Sequence, residues 1–124
     1  MQLDFDPANS LMLVNWPNFE PYTLADTQVA LSRLVNTIKN YDVKKLLVDA
    51  TTAKLGVGIE TYEDIVRDFT KALLETKIEK IARVTTMDLE RENTAKKLSK
   101  ELPSSIQNQH FSTIAEAKAW LLNT

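Results

Sequence analysis

The chain has no cysteine, one histidine and two glycines among its 124 residues. Without cysteine there is no disulfide framework, no thiol nucleophile and no thiolate zinc site. A single imidazole excludes a metal site built from several histidines of one chain. Two glycines cannot supply a P-loop or a Gly-rich dinucleotide fingerprint. Charge of one sign is also missing: the formal net charge is −2, which argues against a dedicated nucleic-acid binder. No apolar run approaches the ~18 residues needed to cross a bilayer. The start, Met1-Gln2-Leu3-Asp4-Phe5-Asp6, has neither a basic region nor an apolar one, so it does not read as a signal peptide. With no cysteine and no export signal, the expected location is the cytoplasm.

What is present is an ordinary globular mix, with 44% hydrophobic and 26% charged residues. The length suits one domain that buries enough surface to need no staple. No repeat, low-complexity segment or linker divides it, so residues 1–124 are read as a single domain. Pro7, Pro17, Pro21 and Pro103 all fall in stretches that read as loops.

Leu3–Asp6 alternates apolar and polar residues, and Pro7-Ala8-Asn9-Ser10 is turn chemistry. The short apolar run Leu11–Val14 follows, which predicts a β-hairpin. Trp16–Tyr22, with two prolines and three aromatics, reads as a loop. Thr23 is placed to cap a helix, with Asp26 behind it and Leu24, Leu31, Leu34, Val35 and Ile38 on one face. Val43–Ala50 carries Leu46-Leu47-Val48 without alternation, as a strand buried on both faces does. Thr51–Gly58 reads as a loop. A second helix, capped by Thr61 with Asp64 behind it, buries Tyr62, Ile65, Val66, Phe69, Ala72 and Leu73. Ile78–Thr85 is the next strand. Asp88–Glu101 is a weakly amphipathic helix through Leu89, Ala95, Leu98 and Leu102, ended by Pro103. Ile106–Phe111 is mostly polar and reads as an edge strand. Thr113 and Glu116 begin the last helix, whose buried stripe is Ile114, Ala117, Trp120 and Leu121. Trp120→Ala is therefore expected to cost ~3–5 kcal/mol, as large core truncations do.

The order β-β-α-β-α-β-α-β-α predicts an α/β fold with a mostly parallel sheet of about five strands, an N-terminal hairpin and four helices. Leu46-Leu47-Val48-Asp49 looks like a central strand closed by an acid. Lys80-Ile81-Ala82-Arg83-Val84-Thr85 looks like the strand after it. Phe111-Ser112-Thr113-Ile114-Ala115-Glu116-Ala117-Lys118-Ala119-Trp120-Leu121 looks like a closing strand-to-helix signature. Together they resemble the SpoIIAA-like group, which includes STAS domains and the small STAS/SEC14 proteins. The resemblance implies a regulatory domain that binds other proteins, in some members switched by phosphorylation and in some binding nucleotides or lipid-like ligands. The family's phosphorylated turn, Asp-Ser-(Ser/Ala)-Gly, is absent. Its place is taken by Asp49-Ala50-Thr51-Thr52-Ala53-Lys54-Leu55-Gly56-Val57-Gly58, so the small STAS/SEC14 proteins are the better match.

In parallel α/β sheets ligands meet the loops at the carboxyl ends of the strands. Three loops, Trp16–Tyr22, Thr51–Gly58 and Thr85–Asp88, are expected to share that rim. They offer Trp16, Phe19, Tyr22, Asp49, Thr51, Thr52, Lys54, Thr85 and Thr86 to a ligand or a partner. The plainer alternative is that Trp16 and Tyr22 cover the sheet edge and the threonines cap helices. Thr51 and Thr52 are the candidate phospho-acceptors, against ordinary turn hydroxyls. Asp49 offers a carboxylate to a cation or helix start, against bonding to loop amides. His110 reads as a surface histidine, since no nucleophile and orienting acid can be paired with it. Glu60, Glu63 and Asp64 read as an exposed helix face. Lys96, Lys97 and Lys100 form a basic cluster, either a solvated face or a patch for an acidic partner.

The first reading is a non-catalytic binding or regulatory module that meets a protein partner at the rim. The alternative is a carrier or sensor of a small acyl or nucleotide ligand, with the aromatic loop closing over it. An enzyme comes third. No cofactor and no metal are expected. Pairing of the polar edge strand across a homodimer would cover that edge.

Overall fold

The computed structural model describes residues 1–86 and 88–123. Five strands form one sheet: β1 (Leu3–Asp6), β2 (Leu11–Asn15), β3 (Lys45–Asp49), β4 (Lys80–Val84) and β5 (Gln107–Phe111). They lie side by side in chain order, with β1 antiparallel to β2 and every later pair parallel. Four helices connect or follow them: α1 (Leu24–Asn40), α2 (Ile59–Leu73), α3 (Leu89–Ser99) and α4 (Ile114–Leu122). The α/β architecture read from the sequence is the one observed.

Consecutive strand order has a consequence for the layers. Each right-handed crossover steps the chain in the same direction, so all three crossover helices fall on one face. Met12, Val14, Leu46 and Val48 point to that face and join Leu31, Leu34 and Ile38 of α1 and Ile65, Phe69 and Leu73 of α2 in the larger core. The opposite face carries Leu11, Leu47, Ala82 and Val84, covered by Ala117 and Leu121 of α4. Because β3 is enclosed from both sides, Leu46, Leu47 and Val48 are all buried, which is why they show no alternation.

The helix starts differ from expectation in two places, α1 and α2. Thr23 precedes α1, yet its hydroxyl donates to the Glu20 carbonyl and caps nothing; a 3-10 turn over Pro21–Thr23 leads into the helix instead. Helix α2 begins two residues before Thr61, after Gly58. Helix α3 takes its cap from Asp88, whose carboxylate accepts from Arg91 N at 3.1 Å. The start of α4 is as expected, with Thr113 accepting from Glu116 N at 3.2 Å.

Two of the expected core stripes are also altered. Ile114 and Leu89 are exposed, and Trp120 is half-buried, lying against Phe111 with the Lys80 ammonium over its ring. In α3 the buried positions are Arg91, Glu92, Thr94, Ala95 and Leu98. That helix is weakly amphipathic because its inner face is partly polar.

Candidate functional site

Two of the three rim loops are fastened to each other. Trp16 N donates to the Asp49 carbonyl at 2.8 Å, which carries the β2–β3 ladder one step past the strands. Phe19 N then donates to the Lys54 carbonyl at 2.9 Å and Gly56 N to the Phe19 carbonyl at 2.6 Å, a short parallel bridge. The Asn18 side-chain oxygen accepts from Lys54 N at 2.7 Å. The two chains approach so closely that a Cβ on Gly56 would sit 3.2 Å from the Phe19 carbonyl oxygen. A side chain there would press on the Phe19 carbonyl, which glycine leaves free for close approach.

This zipper decides where the aromatics go. Trp16 and Phe19 turn inward beneath α2, Trp16 edge-on to Phe69 at 5.3 Å and Phe19 edge-on to Tyr62 at 4.9 Å. Both are buried, so they form the floor of the rim and not an aromatic wall facing solvent. Tyr22 is 82% exposed and is the one rim aromatic that a partner would meet. Thr51, Thr52 and Lys54 are exposed on the loop that follows β3. Asp49 closes the turn: its carboxylate accepts from Thr51 N at 3.0 Å and from the Thr51 hydroxyl at 2.6 Å. Its bonds are those of a strand-end acid, and neither Thr51 nor Thr52 caps a helix.

Thr85 and Thr86 belong to a different arrangement. Thr85 N donates to the Phe111 carbonyl, fastening the third loop to β5. Met87, in that loop, lies outside the described residues. The Thr86 hydroxyl and amide both donate to Glu92, at 2.6 and 3.2 Å. Glu92 in turn accepts from Arg83 through both oxygens, Nε at 3.0 Å and Nη2 at 3.2 Å. The Arg83 guanidinium also donates to the Tyr62 hydroxyl at 3.4 Å. Arg83, Glu92 and Tyr62 are all buried. Burial alone would raise the Glu92 carboxyl, but the bonds and charge of Arg83 and the bonds from Thr86 outweigh it and hold the group below its ordinary value. Its bonds from Arg83 and Thr86 favour the ionised form.

His110 is not a surface histidine. β5 pairs Arg83 with His110, so both side chains point to the helix-covered face. Its Nδ1 is buried with no hydrogen-bond partner, 3.9 Å from Glu92. Burial and the neighbouring Arg83 charge depress its pKa, and Glu92 only partly opposes them. The imidazole is therefore neutral near pH 7. The basic cluster on α3 is also broken up: Lys97 pairs with Glu63 at 2.9 Å, and Glu63 accepts from Arg67 at 2.7 Å.

The grouping of buried Tyr62, Arg83 and Glu92 with half-buried His110 was not legible as a site. Arg83 sits inside Ile81-Ala82-Arg83-Val84, where the strand pattern hides a charge aimed inward. The only sequence signal was the weak amphipathicity of α3.

Between the sheet and the α2–α3 pair lies a cavity of about 80 Å³. Trp16, Arg83 and His110 line it at the rim end, and Leu73, Leu98 and Leu102 are among its other walls. An open cleft of about 390 Å³ lies at the ends of β4 and β5, bordered by Thr85, Thr86, Lys96, His110 and Glu116. Among the described residues no three metal-ligating side chains come together. No family model, curated protein or solved structure matches the chain.

Proposed function

We propose that this chain is a non-catalytic binding or regulatory module that meets a protein partner at the rim over β2 and β3. The observation that carries the reading is a hydrogen-bonded ledge with polar groups exposed on it. Backbone bonds fasten residues 16–19 to 49–56, while Thr51, Thr52 and Lys54 remain exposed on the second segment and Tyr22 on the 3-10 turn that follows the first. Functional residues on loops held by a rigid scaffold are the usual way such surfaces are built. The resemblance to the SpoIIAA-like group and its small STAS/SEC14 proteins supports the same style of work. A phosphate on Thr51 or Thr52 would add about two negative charges at the centre of this surface. In this reading the module acts in the cytoplasm, and a homodimer forms along the free edge of β5.

The experiment is site-specific photocrosslinking in the source cells. Photoreactive side chains are placed at Tyr22 and Thr52, and at Asn9 in the hairpin turn at the opposite end of the strands. The reading predicts one common protein adduct from the rim positions, absent from Asn9 and lost in a Thr51→Glu, Thr52→Glu background. Equal labelling from Asn9, or adducts indifferent to the rim substitutions, would contradict it.

A second reading, a carrier or sensor of a small acyl or nucleotide ligand, is favoured by the cavity beside Trp16. The cavity lies behind the rim, beneath the aromatic floor, and not under a closing aromatic loop.

A further inference from the structure

The sheet has two outer edges, and only one of them is guarded. Strand order places β1 and β5 outermost. β1 includes Asp4 and Asp6, and Pro7 follows it. Charge and proline are ordinary means of stopping an edge from pairing with another chain. β5 has neither. Gln107-Asn108-Gln109-His110-Phe111 contains no carboxylate, lysine, arginine or proline, and it pairs with β4 residue for residue, without a bulge. Its polar side chains keep the edge wet, but none of them repels a second strand.

The backbone of that edge has a definite pattern. Gln107 N donates to the Glu79 carbonyl, and Thr85 N donates to the Phe111 carbonyl. Alternate residues of a strand direct their N–H and C=O groups to opposite sides, so Gln107, Gln109 and Phe111 are the residues bonded to β4. Asn108 and His110 therefore direct theirs to the free edge, where no strand among the described residues receives them. These two lie symmetrically about Gln109. An antiparallel copy with its two-fold axis at Gln109 sets Asn108 opposite the second copy's His110, and His110 opposite the second copy's Asn108. Each pair joins two outward-directed residues, so each exchanges both of its hydrogen bonds.

The side chains suit the same axis. Phe111 packs on Trp120 of α4, while Asn108 donates to the Ser99 carbonyl on the α3 side, so alternation puts Gln109 on the α4 face, where it is exposed. On the axis Gln109 meets its own copy. A carboxamide both donates and accepts, so it can pair with itself, which neither a carboxylate nor an ammonium can do. The rival arrangement, β5 against β1 of the next copy, is head-to-tail and runs on into an open fibre. The two aspartates of β1 stand against it.

We infer that two copies of this chain pair antiparallel through β5, with the two-fold axis at Gln109 and one continuous sheet across the dimer. The inference rests on the homodimer reading above and supplies its seam and register.

The chain has no cysteine, so a single introduced thiol reports a single position. Residues opposed in a non-hydrogen-bonded antiparallel pair have Cα atoms about 4.5 Å apart, within the span of a disulfide. Gln109→Cys is therefore expected to give a covalent dimer on mild oxidation. Gln107→Cys is also exposed and on the same face, but in this register it stands more than about 10 Å from its own copy and is expected to give none. Sedimentation equilibrium reads the association itself. The parent chain is expected to be a dimer. Gln109→Lys sets like charges opposite each other on the axis and is expected to weaken the dimer several-fold while keeping the circular dichroism spectrum of the parent. Thr51→Glu, Thr52→Glu is expected to leave the dimer intact, so the rim reading is scored separately. A parent chain monomeric at every soluble concentration would overturn the register and the homodimer reading together. A dimer indifferent to Gln109→Lys, with no crosslink through Gln109→Cys, would leave the homodimer standing and overturn β5 as its seam. Crosslinking through Gln107→Cys in preference to Gln109→Cys would overturn the register.

Discussion

Glu92 is the residue on which most of the buried polar bonding converges. Arg83 and Thr86 both reach it, and His110 lies beside it. Glu92→Gln leaves the Arg83 guanidinium without its counter-charge and is expected to cost about 3–5 kcal/mol in chemical unfolding. The pH dependence follows from two depressed values. His110 titrates below its ordinary 6.5 in the folded protein, because burial and Arg83 disfavour its charge. The unfolded chain therefore binds the extra proton first, and stability falls as pH drops from 6.5 toward the folded value. Glu92, lowered from 4.5, adds a second loss beginning near that ordinary value and ending at its folded one. Urea midpoints measured across pH should thus decline in two stages, and His110→Asn should remove the upper stage alone. A single stage below 5 in the parent protein would show that His110 is not held neutral by its surroundings. Gly56→Ala acts at the same scale. Its Cβ would meet the Phe19 carbonyl oxygen at 3.2 Å, so the substitution should destabilise the protein and loosen the Trp16–Phe19 floor, seen as faster amide exchange at Phe19.

At the scale of elements, α4 departs most from its sequence pattern. Its nine residues carry the whole cover of one sheet face, yet only Ala117 and Leu121 are fully enclosed. Leu121→Ala should cost about 2–5 kcal/mol and Ile114→Ala less than about 1 kcal/mol. Trp120→Ala should fall to about 1–3 kcal/mol, below the expectation for a core tryptophan, because the ring lies half in solvent. Equal costs for Leu121 and Ile114 would contradict this placement of the helix. The strands and helices were readable because hydrophobic period is a local property: Leu46-Leu47-Val48 announced a strand enclosed on both faces, and the polar run Gln107–His110 announced an edge. Helix starts were less readable, since Thr23 and Thr61 are good caps in isolation and lose to a 3-10 turn and to Gly58. Tyr22, Thr51, Thr52 and Lys54 are exposed, as turn and loop residues of that polarity commonly are. The burial of Trp16 and Phe19 was not readable, because it depends on backbone bonds between residues more than thirty apart. The Arg83–Glu92–His110 grouping depends on strand register, which no local window contains.

For the whole molecule, consecutive strand order separates three kinds of surface. One face is closed by three crossover helices and encloses the cavity lined by Trp16, Arg83 and His110. The other is covered by a single short helix. The carboxyl rim is left as a fastened ledge over β2 and β3 and a cleft over β4 and β5. With no reversal of strand order there is no crevice of the kind that holds nucleotides in doubly wound sheets. That a macromolecular partner meets this ledge is the central proposal. It is tested most directly by native mass spectrometry of the chain isolated from its source cells, wild type beside Thr51→Glu, Thr52→Glu. The account predicts a second polypeptide bound to the wild-type chain, released on denaturation and missing from the rim variant. A wild-type chain that flies alone, or a complex that survives the rim substitutions intact, would contradict it.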